Sequence, residues 1–171
     1  AAAKQFVKLE APDNEIFVKQ ALASIGQPHL MRIFHENFSD LGLHTSQCLL
    51  SYSDFEKTET KVNIVNTIDV LVKNSYIPII NENDTVSTEE IQFGDNDNLA
   101  AMVANLIEAD YLVLLTDQEG LFSDDPAVDK NASLIKKAFT DDEKLDLLAK
   151  KTSSTFGTGG MVTKIEAAKV V

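Results

Sequence analysis

The sequence predicts an α/β sandwich with a largely parallel sheet. Three observations carry that prediction: apolar residues at helical spacing, short β-branched runs between them, and their alternation along the chain. No internal repeat or low-complexity linker divides it. The 171 residues are therefore expected to form one domain, and that length can bury a core without disulfides or structural metal.

Each element has its own signal. Asp13 is placed to cap a helix starting near Asn14, with Ala21, Leu22 and Ile25 on its buried face. Gly26 and Pro28 are expected to interrupt or kink it. Leu30, Ile33, Phe34 and Phe38 then fall at helical spacing, and Gly42 suits a stop. Leu43–Ser51 reads as a strand. Thr58–Asn74 carries a helical stripe of Val62, Val65, Ile68 and Val72. YIPII at Tyr76–Ile80 is bounded by polar residues, which predicts a buried strand. Leu99, Met102, Val103 and Leu106 mark a helix beginning near Asp97 or Asn98. YLVLL at Tyr111–Leu115 predicts a second buried strand, running into the turn-rich TDQEGLFSDDP. Leu134–Phe139 reads as a strand and Asp141–Lys150 as a helix. A glycine loop leads into a last helix from about Met161.

The bulk charge narrows the partners. A formal net charge of −12 repels nucleic-acid phosphates and anionic membranes as general partners. An anion site must then be built locally, from backbone N–H groups and a few lysines. Cys48 is the single cysteine, so an internal disulfide and a cysteine-rich metal site are excluded and a buried free thiol is expected. No apolar run reaches membrane-span length and no signal-peptide pattern opens the chain, so a cytoplasmic location is expected. AAAKQF lacks an initiator methionine, and KIEAAKVV stops inside a predicted helix. The sequence is expected to be an excerpt from a longer protein.

Chemistry concentrates in a few segments. GTGGMVTK at Gly157–Lys164 combines glycines, which let backbone N–H groups approach an anion, with a following helix N-terminus. Lys164 lies about one turn into that helix and can reach back to a phosphate. The order is not that of a Walker A loop, which needs G-K-S/T after its final glycine. The alternative is a flexible surface turn. GDNDN at Gly94–Asn98 crowds Asp95, Asn96 and Asp97 at a helix start. A simple N-cap needs one of them. Two carboxylates could also hold an ammonium group, orient a lysine or neighbour a magnesium ion. NEND at Asn81–Asp84 follows the strand IPII, where ligands of parallel sheets bind, although a loop capping its own turn would use the same residues. Thr116 and Asp117 follow YLVLL and could meet a nucleotide. Asp124, Asp125 and Pro126 carry turn chemistry and could wall its site. His29, His35 and His44 lie in no dense motif, and Ser24, Ser46 and Ser51 lack a nucleophile-elbow context.

Together the blocks KQALASIGQ (Lys19–Gln27), IPIINENDTVSTEEIQFGDNDNLAA (Ile77–Ala101), LLTDQEGLFSDDP (Leu114–Pro126) and GTGGMVTK resemble the amino acid kinase family. Within it, they resemble the members whose acceptor is L-glutamate. INEND followed by GDNDN is more specific than any glycine loop. The resemblance implies a three-layer αβα fold and transfer of phosphate from ATP, with Mg²⁺ carried by the ATP, to the γ-carboxylate of L-glutamate. The product would be γ-glutamyl phosphate, the first intermediate of proline biosynthesis. It also implies that Asp84 and Asn96 contact glutamate. Thr116, Asp117, Thr158, Gly159, Gly160, Met161, Val162, Thr163 and Lys164 would contact ATP. Lys164 would stabilise the transferring phosphate, and Asp97 would organise the reacting groups by holding a lysine. A free Glu titrates near ~4.3, so the acceptor is already ionised and no strong general base is required. Proline as a feedback inhibitor is implied as well. A homo-oligomer, dimer or tetramer, is expected through the apolar faces of the Asp13–Leu41 helices or the Thr58–Asn74 helix. The family pattern adds an N-terminal strand with a K-x-G-S/T loop, a serine–glycine–alanine segment and a closing C-terminal strand. The 171 residues are expected to be a partial domain, inactive alone. The alternatives are another family member, of the acetylglutamate kinase or aspartokinase type, and a non-catalytic amino-acid sensor of this fold. A sensor has no use for Gly159, Gly160 and Lys164.

Overall fold

A computed structural model describes residues 3, 7, 15–86, 96–151 and 160–171. By its internal contacts the chain divides into two compact units, residues 1–93 and 94–171.

In the first unit, α1 (Ile16–Ser39) is one continuous helix. The expected break at Gly26 and Pro28 does not occur. Pro28 lacks the N–H that would bond the Ser24 carbonyl, at a cost of about 3 kcal/mol. The buried residues Val18, Leu22 and Gly26 keep a four-residue spacing and all precede the proline. Val18 and Leu22 pack with Ala3, and Ile25 lies against them. The stop at Gly42 is as expected. Gly42 adopts φ 72°, in the left-handed region that glycine enters freely. Its N–H donates to the Ser39 carbonyl at 2.9 Å and the Leu43 N–H to the Phe38 carbonyl at 3.0 Å. That paired closure satisfies the carbonyls a helix end leaves open.

β1 (His44–Leu50) and β2 (Tyr76–Glu82) form a parallel pair, in register from His44↔Tyr76 to Leu50↔Glu82. A parallel pair needs a crossover, and α2 (Thr58–Lys73) supplies it. Alternation puts Thr45, Gln47 and Leu49 on one face with Ile77, Ile79 and Asn81. α1 packs against β1, and α2 against β2. α2 buries Ile64 and Ile68, while Val62 and Val72 are 52% and 58% exposed. Val62 lies two residues, about 200°, round the helix from Ile64. The buried stripe is thus narrower than the four residues expected. Ser51 starts a short 3-10 turn, Tyr52–Phe55, and its N–H and hydroxyl both donate to Asp54 Oδ2, at 2.7 and 2.8 Å. Cys48 is half-buried on β1, and burial pushes its thiol above the ordinary range, away from thiolate reactivity.

In the second unit, α3 (Asn96–Leu106), α4 (Lys144–Lys151) and α5 (Gly160–Val170) begin close to where the sequence predicts. α3 buries Leu99, Ala101, Val103 and Ala104 and packs against α5. Leu145 of α4 joins Met161 and Ile165 of α5 in a core, with Leu121 and Val162 against it. The strands expected at Tyr111–Leu115 and Leu134–Phe139 are not formed. Leu134 makes an isolated antiparallel bridge to Phe122, and Tyr111 and Leu115 are 88% and 85% exposed. An apolar β-branched run records a preference for a sheet interior. Among the described residues of this unit, no ladder partner is present to realise it. The α/β class and the parallel pairing stand. Among the described residues, no helix is long and apolar enough to cross a membrane.

Candidate active site

The first unit carries one group of predicted residues at the carboxyl end of its parallel pair. β2 runs through Asn81 and Glu82, and the Asn83 N–H donates to the Leu50 carbonyl at 2.7 Å, one step past the last rung. The chain then turns, closed by the Val86 N–H on the Asn83 carbonyl at 3.1 Å. Asp84 sits in that turn. Its side chain keeps contact with solvent, yet desolvation on the buried side pushes its carboxyl above the usual range. Asn81, the first residue of NEND, turns towards α1. Its amide donates to Gln27 Oε1 at 3.0 Å, and Gln27 Nε2 donates to Gln47 Oε1 at 3.1 Å.

The second unit carries the other group. Asp97 lies in the first turn of α3, and Thr163 and Lys164 in the first turn of α5. Lys164 Nζ donates to both carboxylate oxygens of Asp97, at 2.9 Å to Oδ2 and 3.1 Å to Oδ1. The two side chains are 19% and 20% exposed, so the pair is sheltered without being sealed. Thr163 Oγ1 lies 3.0 Å from Asp97 Oδ2 and 3.1 Å from the Gly160 carbonyl. Its single proton is shared between those acceptors. Gly160 opens α5 with φ 61°, which a side chain would disfavour. At the far end, Asn105 Nδ2 donates to the Val170 carbonyl at 3.4 Å. With residue 97 beside 163 and 164, and 105 beside 170, α3 and α5 lie side by side in the same direction. Both helices therefore begin, with their positive dipole ends, at the Lys164 side.

Thr116 and Asp117 form a local turn, with the Thr116 hydroxyl 3.3 Å from Asp117 Oδ1 and the Gln118 N–H on Thr116 Oγ1 at 3.4 Å. Both side chains are exposed. Leu121, four residues after Asp117, packs on the core that contains Met161 and Ile165, which anchors this segment on α5. Met161 itself is buried in that core, and Val162 lies against it, so these two offer a ligand their backbone rather than their side chains. Asp125 is buried and accepts the Ala127 N–H at 2.9 Å, while the Asp125 N–H donates to Asp124 Oδ1 at 2.9 Å. That is the expected turn chemistry. Asn96 opens α3 with an exposed side chain. Gly94, Asp95, Thr158 and Gly159 lie outside the described residues. Among the described residues, no group of three His, Cys, Asp or Glu side chains could hold a metal ion.

Within the second unit the structure joins Asp97, Thr163, Lys164 and Gly160, and within the first it places Asp84 just past the β2 end. Two details escaped the sequence reading. One is Gln27, whose tie to Asn81 spans 54 positions and leaves no local pattern. The other is that Thr163 faces Asp97. Its place directly before Lys164, on the same first turn, was the available signal.

Residues 2–171 match the model of the amino acid kinase family, and the chain belongs to that family. Several relatives carry one name. A glutamate 5-kinase of Vibrio campbellii is 46% identical over 170 residues, which span 99% of this chain and 45% of that protein. A glutamate 5-kinase of Pseudomonas putida is 48% identical over 151 residues, 88% of this chain and 41% of the relative. For a glutamate 5-kinase of Hydrogenovibrio crunogenus the identity is 44% over 156 residues, 91% of this chain and 42% of the relative. The chain spans less than half the length of the curated relatives it matches.

Proposed function

We propose that the protein containing this chain phosphorylates the γ-carboxylate of L-glutamate with ATP, yielding γ-glutamyl phosphate and ADP for proline biosynthesis. The observation that carries this reading is the Asp97–Lys164 pair at the common N-terminal end of α3 and α5. Such an end favours a polyphosphate through the helix dipoles. Lys164 spends two contacts on Asp97, and an ammonium has a third proton to offer a phosphate oxygen. Asp97 keeps the ammonium at a set position, and Thr163 steadies Asp97.

The transfer needs little beyond alignment and charge neutralisation. A γ-carboxylate oxygen attacks the terminal phosphorus, an O–P bond forms, and the bond to the bridging oxygen breaks with its electron pair leaving on ADP. No proton moves, which suits a site built without histidine. Lys164 meets the charge on the transferring group. Asp84 offers a carboxylate to the α-ammonium of glutamate, and Asn96 an amide. Thr116, Asp117 and the Gly157–Lys164 loop hold ATP. Mg²⁺ enters with ATP and neutralises phosphate charge. The reading includes a cytoplasmic location, proline as a feedback ligand, and self-association through exposed apolar residues of α1 and α2 such as Phe17, Ile33 and Val62.

The test is ADP release by the full-length protein with L-glutamate, L-aspartate, N-acetylglutamate and uridylate offered in turn. Glutamate should give the highest kcat/KM, with an acyl phosphate trappable by hydroxylamine. Preference for another acceptor reassigns the enzyme within its family. Glutamate binding without ATP binding, measured by calorimetry, makes it a sensor.

A further inference from the structure

We propose that Gln27 is a positioning residue for the acceptor turn, acting through Asn81; the proposal rests on the reading of Asp84 as the glutamate contact. Gln27 touches no reacting atom in that reading. Its half-buried side chain accepts from Asn81 Nδ2 at 3.0 Å and donates to Gln47 Oε1 at 3.1 Å. One amide on α1 thereby spans both strands of the parallel pair. Gln47 and Asn81 share a sheet face, since Gln47 pairs with Ile79 and Leu49 with Asn81.

The position of the clamp along β2 is what matters. Asn81 is followed by the last rung, Leu50↔Glu82, then by the Asn83 bond to Leu50, then by the turn that holds Asp84. The clamp therefore grips the strand three residues before Asp84. Beyond it, the Asn83 N–H on the Leu50 carbonyl and the Val86 N–H on the Asn83 carbonyl lead the backbone into the turn. Gln27 also consumes one of the two amide protons of Asn81 and so sets which way that amide faces. A residue of NEND that looks like a ligand on sequence grounds is held by the scaffold instead. The block KQALASIGQ, which ends on Gln27, has no other part in the proposed chemistry.

Two substitutions separate the bonds. Gln27→Leu removes both, while Gln27→Glu keeps an acceptor for Asn81 and loses the donor to Gln47. In the full-length protein, Gln27→Leu should raise KM for glutamate about tenfold, the worth of one well-made hydrogen bond. It should leave KM for ATP unchanged and kcat within about twofold, as loss of acceptor binding alone requires. Gln27→Glu should retain most of the wild-type KM. The KM effects of Gln27→Leu and Asn81→Ala should not multiply, because each breaks the same link. Amide hydrogen exchange supplies a readout independent of activity: Gln27→Leu should speed exchange at Asn83 and Val86 and leave α5 unaffected. If glutamate proves not to be the acceptor while that local exchange rises, the functional reading fails and the clamp stands. Unchanged exchange at Asn83 and Val86, or a lowered melting temperature with KM for an accepted glutamate unaltered, overturns the proposal.

Discussion

Asp97→Ala probes the sheltered ion pair. The substitution removes a carboxylate held at 2.9 and 3.1 Å from Lys164 Nζ, and it takes the acceptor from Thr163. Opposite charges about 4 Å apart attract by about 4 kcal/mol at an effective dielectric near 20. Each side chain is about a fifth exposed, so screening and the desolvation both ions suffer cancel a large part of that attraction. Lys164 left without its partner, and Thr163 with one, bring the expected loss to about 2–3 kcal/mol. Urea unfolding of the full-length protein measures it. A double-mutant cycle with Lys164→Met isolates the pair, for which about 1–2 kcal/mol of coupling is expected. Coupling below about 0.3 kcal/mol, with both single variants near wild-type stability, would refute the view that Asp97 fixes Lys164.

Lys164→Ala should depress kcat far more than it changes KM for glutamate, and steady-state kinetics with an unaltered kcat would remove Lys164 from the chemistry. Ser75 holds φ 63° at the end of α2 without being glycine, so Ser75→Gly should gain about 0.5–1 kcal/mol in urea unfolding. Asp84 has its folded carboxyl raised by desolvation. Its ionised form therefore costs stability above that raised value, and the cost fades as pH falls through it towards the ordinary range near ~3.9. Asp84→Asn should accordingly be favourable at neutral pH and lose that advantage on acidification, while raising KM for glutamate. An advantage that grows at low pH contradicts the assignment.

What could be read from the chain follows the range of each signal. α3 and α5 start where GDNDN and GTGGMVTK place them, because capping and glycine signals are local. YIPII, whose run also suggested a strand, finds its partner in β1. Pro28 misled as an interruption: α1 runs through it, although its buried residues Val18, Leu22 and Gly26 all precede it. YLVLL misled in the opposite sense, since strand formation depends on a partner that composition does not name. In the site, the resemblance implied that Asp97 holds a lysine. That Lys164 is the lysine it meets, across 67 positions, and Gln27's hold on Asn81, belong to the packing of helices and strands.

The shared direction of α3 and α5 has an energetic consequence. Parallel neighbours align their macrodipoles, each with roughly half a positive charge at its start, and two such ends side by side repel. Asp97, on the first turn of α3, offsets part of that repulsion but is itself neutralised by Lys164. In the reading proposed above, a polyphosphate would offset that repulsion as it binds. The net charge of −12 would oppose such an anion little, because beyond about 10 Å salt screens the rest of the surface.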